Sequence, residues 1–197
     1  MTVASETGTR EQLVRAARDL LVEGGLGAVS MRRVASQCGL SATAIYRHFP
    51  DKDALLSAAV LDGFRRFGAY LLDALEKPTP LERYRQIGRR YFDFARAHRH
   101  EYQLIFMTDC AGLGLQKLDE TSKQEISGTF QLLQDRIAEC QAAGLFEAGD
   151  ARALAASVWA SVHGLASLII TGQLESDETA GLIELHLRLI EASLLKR

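Results

Sequence analysis

The stretch from Met31 to Phe49 constrains this chain most, because its apolar residues fit two short helices meeting across a single glycine. Ser30 can cap the first helix, whose inner face is Met31, Val34, Ala35 and Cys38, and Gly39 stops it. Ser41 can cap the second, running roughly from Ala42 to His48 and anchored by Ile45 and Phe49. Val34, Cys38, Leu40 and Ile45 supply a wedge between the helices, Ala35 is small where they touch, and Gly39 permits a tight turn. That is the layout of a helix-turn-helix. The second helix exposes Ala42, Thr43, Tyr46, Arg47 and His48. Small or polar groups at its start can approach base edges, and donors further along can hold phosphates.

The rest of the chain also reads as helix, giving an all-α fold of about nine helices. Upstream, Thr9 and Gln12 form a candidate capping box, Leu13, Ala16, Ala17, Leu20 and Leu21 keep helical spacing, and Gly24-Gly25 closes the element. After Pro50, Asp51 can cap a long fourth helix with Leu56, Val60, Phe64, Phe67, Leu71 and Leu75 on one stripe. The prolines at 78 and 80 break it. Five further helices follow, one of them ending at Gly144 and the last two separated by Gly172. Residues 108–118, which hold Gly112 and Gly114, are expected to be the most mobile loop. The domain reading is therefore 1–54 for the helix-turn-helix head and 55–197 for a larger helical domain.

The net charge of −2 contrasts with a nucleic-acid partner, so its distribution decides. Residues 1–52 carry seven Lys/Arg against five Asp/Glu, and four of the seven cations lie between Arg32 and Lys52, opposed only by Asp51. A local basic patch suits site-directed DNA binding and argues against non-specific coating. The three cysteines are odd in number and far apart, which argues against a disulfide framework or a zinc site and for a reducing compartment, the cytoplasm. No stretch approaches membrane-spanning length, and no membrane partner is expected. His98, His100 and Glu101 are close together, but they fall at a turn between helices, so no metal and no cofactor is expected. Cys110 is a candidate oxidation sensor on the glycine-containing loop.

The last two helices, 151–171 and 178–195, are apolar over more than one stripe. A surface helix needs a single apolar stripe, so the extra faces imply a second burying surface. The simplest one is another copy of the chain, with Val162, Leu165, Ile169, Leu182, Leu185 and Leu189 at a four-helix dimer interface. Tyr84, Tyr91, Phe94, Phe106, Met107, Trp159 and His163 can line a cavity between helices, although stripes at this spacing also build ordinary bundle cores.

The run from Arg10 to Val60 resembles the TetR, or tetracycline-repressor, family. The likeness rests on Leu21-Val-Glu-Gly-Gly25, Ser30-Met-Arg-Arg-Val-Ala35, Gly39-Leu-Ser41, Ile45-Tyr-Arg-His-Phe49 and Asp51-Lys-Asp-Ala-Leu-Leu56. A second match, Trp159-Ala-Ser-Val-His-Gly164, resembles the Trp-His-Gly feature of one C-terminal subclass. The resemblance implies a homodimer on a palindromic operator in double-stranded DNA, released when a small molecule binds the C-terminal domain. Thr43 with Ala42 would meet bases. Tyr46 and His48 match phosphate-contacting positions, and Lys52, Arg32 or Arg33, Ser41 and Arg47 would add to the backbone grip.

Other readings stand beside these. Ser30, Ser41 and Asp51 are helix caps before anything else, and one of Arg32 and Arg33 can be a solvated surface charge. The aromatic, weakly charged candidate lining suits an apolar or aromatic effector. An activator of the same fold is one alternative, and a small-molecule carrier or cryptic enzyme that has lost DNA regulation is another.

Overall fold

The computed structural model describes residues 3–108, 113, 115–174 and 179–196, so the expectation attached to Cys110 lies outside the described residues. Eight α-helices and no strand occur among them: α1 Val3–Ala28, α2 Met31–Gln37, α3 Lys52–Leu72, α4 Pro80–Ala97, α5 Arg99–Met107, α6 Glu120–Ala142, α7 Ala151–Ile170 and α8 Thr179–Leu194. The third of the nine expected helices differs. The segment after Gly39 forms only the short 3-10 turn Ala44–Arg47, introduced by Ser41, whose hydroxyl accepts from the Ala44 amide at 3.2 Å. The start of the chain differs too. Helix α1 begins at Val3, so Thr9 sits inside the helix and is not its cap. At the other end, Gly24 and Gly25 break the helical geometry, with Gly25 at φ 66°, a conformation that suits glycine.

Local capping follows the sequence. Ser30 accepts from the Arg33 amide at 3.2 Å, and Asp51 accepts from the Ala54 amide at 2.8 Å. Thr79 and Glu82 form a reciprocal capping box at the start of α4, with Pro80 in the first helical position where a missing N–H costs nothing.

Two compact units emerge, Met1–Arg66 with His100–Ile126, and Phe67–Arg99 with Ser127–Arg197. The core of the first gathers Leu13, Ala17, Leu20, Val34, Ala35, Ile45, Leu55, Leu56 and Tyr102. An ion network runs beside it. Arg18 meets Asp62 at 2.6 Å and Glu101 at 3.2 Å, and Arg66 meets Glu101 at 2.9 Å.

In the second unit α4 packs on α7 and α8. Gly88 lets α8 approach, since a Cβ there would stand 2.8 Å from Leu187 Cδ2. Phe146 and Leu195 pair as an isolated antiparallel bridge, flanked by hydrogen bonds from Glu147 N to Leu194 O and from Lys196 N to Leu145 O, both 2.9 Å. Against the expectation that no stretch approaches membrane-spanning length, one helix does. Helix α7 is 20 residues long with a mean hydropathy of 1.7, enough by length and composition to cross a membrane, although only 33% of that window is buried inside the chain. Its apolar faces serve α4, α8 and an outer surface.

Candidate functional site

In the first unit, packing behind the 3-10 turn sets what can face a partner. Ile45, Val34 and Ala35 are fully buried, while Cys38 and Leu40 are half-buried at the edge of the wedge. Gly39, at φ 69°, turns the chain between the two segments. The opposite surface carries Ser41, Ala42, Thr43, Tyr46 and Arg47, all exposed, with the Tyr46 ring 56% accessible although nothing local demands an aromatic there. His48 is half-buried. Phe49 closes the segment underneath, 2% exposed, with the Arg10 guanidinium 4.8 Å above its ring. Such a surface offers hydroxyl, phenol, imidazole and guanidinium donors without a carboxylate among them. It is chemically suited to phosphate oxygens and base edges.

The candidate cations divide by environment. Arg32 and Arg47 are exposed. Arg33 Nη1 donates to the Ala28 carbonyl at 3.4 Å. Lys52 is half-buried, and its Nζ donates to the Leu26 carbonyl at 2.9 Å. Pattern reading missed that bond, because nothing in the sequence marks Leu26 as an acceptor across 26 positions.

The candidate effector residues do not all fall in one unit. Phe106 and Met107 belong to the first, where Phe106 stacks edge-on to Phe64 at 5.6 Å and Met107 is exposed. The other five lie in the second. Tyr84 is buried edge-on to Phe146, and its burial, with the Glu191 carboxylate adding to it, pushes its hydroxyl pKa far above the ordinary range, so it stays a phenol. Phe94 is fully buried against Phe67. Tyr91 is buried too, and its hydroxyl shares a 3.1 Å hydrogen bond with His163 Nδ1. Trp159 lies one turn before His163, ring centroids 5.8 Å apart, and edge-on to Phe130 at 6.1 Å. Trp159 remains 38% exposed. Burial lowers the pKa of His163, favouring the neutral ring that a phenol can bond. Tyr91, His163 and Trp159 therefore form a connected polar-aromatic run. Tyr84 and Phe94 read as core.

The six interface candidates also separate. Val162 and Leu165 are buried by the chain itself, Ile169 and Leu182 are half-buried, and Leu185 and Leu189 are exposed, the latter at 61%. Leu168 joins this outer surface. Among the described residues no group of three or more His, Cys, Asp or Glu could hold a metal ion, and of the cluster expected at the turn, His98 bonds Tyr70 at 2.8 Å while Glu101 is taken by arginines.

Comparison with known proteins is consistent with this arrangement. Residues 13–59 match the model for bacterial regulatory proteins of the tetR family, and residues 84–190 match the tetracyclin repressor-like C-terminal domain. The transcriptional regulator UidR of Escherichia coli K12 is 32% identical over 68 residues, which is 34% of this chain and 35% of that protein, so the match spans about a third of its length. The repressor KstR2 of Mycolicibacterium smegmatis is 25% identical over 143 residues, 70% of this chain and 69% of that one. A solved structure of unknown function from Rhodococcus sp. RHA1 superposes with a TM-score of 0.82 at 27% identity, over 95% of this chain and 96% of that one. With both halves matched, and the C-terminal model alone covering more than half of its length, the chain belongs to the TetR family of bacterial regulators.

Proposed function

We propose that this protein is a transcription regulator that binds a palindromic operator as a homodimer and lets go when a small apolar or aromatic molecule occupies its C-terminal domain. The observation that carries the reading is the carboxylate-free surface of Ser41, Ala42, Thr43, Tyr46 and Arg47, backed by the buried Ile45. Thr43 and Ala42 read bases, while Tyr46, Arg47, His48 and Arg32 hold phosphates. The exposed Leu185 and Leu189, with Ile169 and Leu182 at their edge, join two copies, and the dimer sets its two reading segments about 34–36 Å apart, one duplex turn. Tyr91, Trp159 and His163 take the effector, in line with the Trp-His-Gly resemblance. The effector acts only through its preference for the state in which that spacing is lost. Whether binding represses or activates depends on where the operator lies. The protein acts as a repressor, in a reducing cytoplasm.

The test is fluorescence anisotropy on DNA from just upstream of the protein's own gene, with a scrambled duplex as competitor. Specific recognition gives a preference of at least about a thousandfold. Equal, weak and salt-sensitive binding to upstream, scrambled and randomly selected duplexes would leave the carrier or enzyme reading in its place.

A further inference from the structure

From the Lys52 geometry we infer that this lysine is a strap that positions the reading segment, and that it is not one of the phosphate contacts. The inference rests on the DNA-binding reading above for its functional consequence, though not for its structural one. Lys52 opens α3, and Leu26 lies in the last turn of α1. The bond from Nζ to the Leu26 carbonyl is 2.9 Å and partly buried. Residues 26 and 52 bracket α2, the Gly39 turn and the 3-10 segment Ala44–Arg47, so this one contact ties together the two ends of the whole helix-turn-helix.

Two charge arguments explain why a lysine sits there. A cation in the first turn of a helix faces the positive end of the helix dipole, so Lys52 gains nothing from α3 itself. The last carbonyls of α1 are the complementary partner, since no following turn of helix supplies amides for them and a lysine is a natural donor to that end. The Gly24-Gly25 break interrupts the helical geometry just before those carbonyls. Arg33 uses the neighbouring acceptor, the Ala28 carbonyl, and Arg10 covers Phe49 from α1. Three cations thus hold the head to α1, and the Lys52 bond is the one that is both short and partly buried.

The decisive readout is the salt dependence of operator binding. A lysine that neutralises a phosphate contributes about 0.9 to the slope of log affinity against log salt, and a strap contributes nothing. Lys52→Met is expected to weaken operator binding at least about tenfold, the size of one charged hydrogen bond, with the slope unchanged. Hydrogen exchange in the absence of DNA gives an independent arm. Amides of residues 40–49 exchange faster in Lys52→Met, and Lys52→Arg, which keeps a cationic donor, restores their protection. A slope lowered by about 0.9 per subunit, or exchange across 40–49 left unchanged by Lys52→Met, overturns the strap. A wild-type protein without sequence preference whose Lys52→Met form still opens at 40–49 would instead retire the DNA-binding reading and leave the strap standing.

Discussion

Arg18 on α1 lies 3.2 Å from Glu101 on α5, and both side chains are nearly enclosed, at 12% and 9% exposure. That guanidinium reaches three carboxylates: Nε faces both Glu101 and Asp19, Nη1 faces Asp62 and Nη2 faces Asp19. Glu101 in turn receives Arg66. Removing one member of a buried ion group strands the others, which costs more than the group ever contributed. Glu101→Ala should therefore destabilise the fold by about 3 kcal/mol. Urea unfolding measures it, and a loss under about 1 kcal/mol would mean that water reaches the site and screens it.

The Gly39 turn should resist any side chain. At φ 69° an L-residue brings its Cβ against its own carbonyl, a conflict worth about 1–2 kcal/mol. No neighbouring atom stands within 4 Å of the added carbon, so the cost of Gly39→Ala is conformational only. A thermal melt should show it, and Gly39→Asn should recover part of the loss.

His163 gives the fold a pH dependence with a definite sign. Burial lowers its pKa in the folded chain below the ordinary 6.5, so between those two values the unfolded chain binds more protons. The contribution from this group is present above pH 6.5 and is lost as the pH falls through the folded value. His163→Gln keeps a hydrogen-bonding partner for Tyr91 and does not titrate. Urea midpoints taken from pH 8 down to pH 5 should fall less steeply in that variant than in the native chain, and parallel curves would rule the residue out.

Leu189, 61% exposed on α8, is a point at which charge should keep two copies apart. Leu189→Glu is expected to sediment as a monomer with unchanged helical content, and to lose operator affinity because the two half-sites are then bound independently. A dimer of undiminished strength would move the interface to another surface.

Trp159 is the only tryptophan, so emission from this chain reports on a single place beside His163 and Phe130. Titration with an apolar aromatic effector should shift or quench that emission in saturable fashion. A compound that releases DNA without touching the signal would place the effector away from α7.

What the sequence reveals here is mostly local. Ser30 and Asp51 announce their helix starts because a cap acts within three residues, and Gly25, Gly39 and Gly144 announce stops because their positive φ is a property of the residue itself, whereas Thr79 and Pro80 read only as a break and prove to be the start of α4. The reading surface is legible for the same reason: Ile45 and Phe49 must be buried, which turns Thr43 and Tyr46 outward. Longer-range facts are not. Periodicity places Lys52 at the start of α3 but has no means of finding the Leu26 carbonyl. It also cannot say which side of an all-apolar helix its own chain covers, so Val162 and Leu165 read as interface while α4 and α8 pack on α7. The 3-10 turn was equally hidden, since four residues carry too little pattern to tell two helix types apart.

The bridge between Phe146 and Leu195 turns the far end of the chain into a clasp. Trimming the protein from that end should begin to cost stability once the cut removes Lys196, whose amide donates to the Leu145 carbonyl, and should cost more once it takes Leu195, the bridge residue, and Leu194, whose carbonyl holds Glu147. Past that point tolerance should end abruptly, with residues 145–147 after α6 losing their partner segment. An affinity tag attached beyond Lys196 leaves the clasp shut, whereas one spliced in a few residues earlier pries it open.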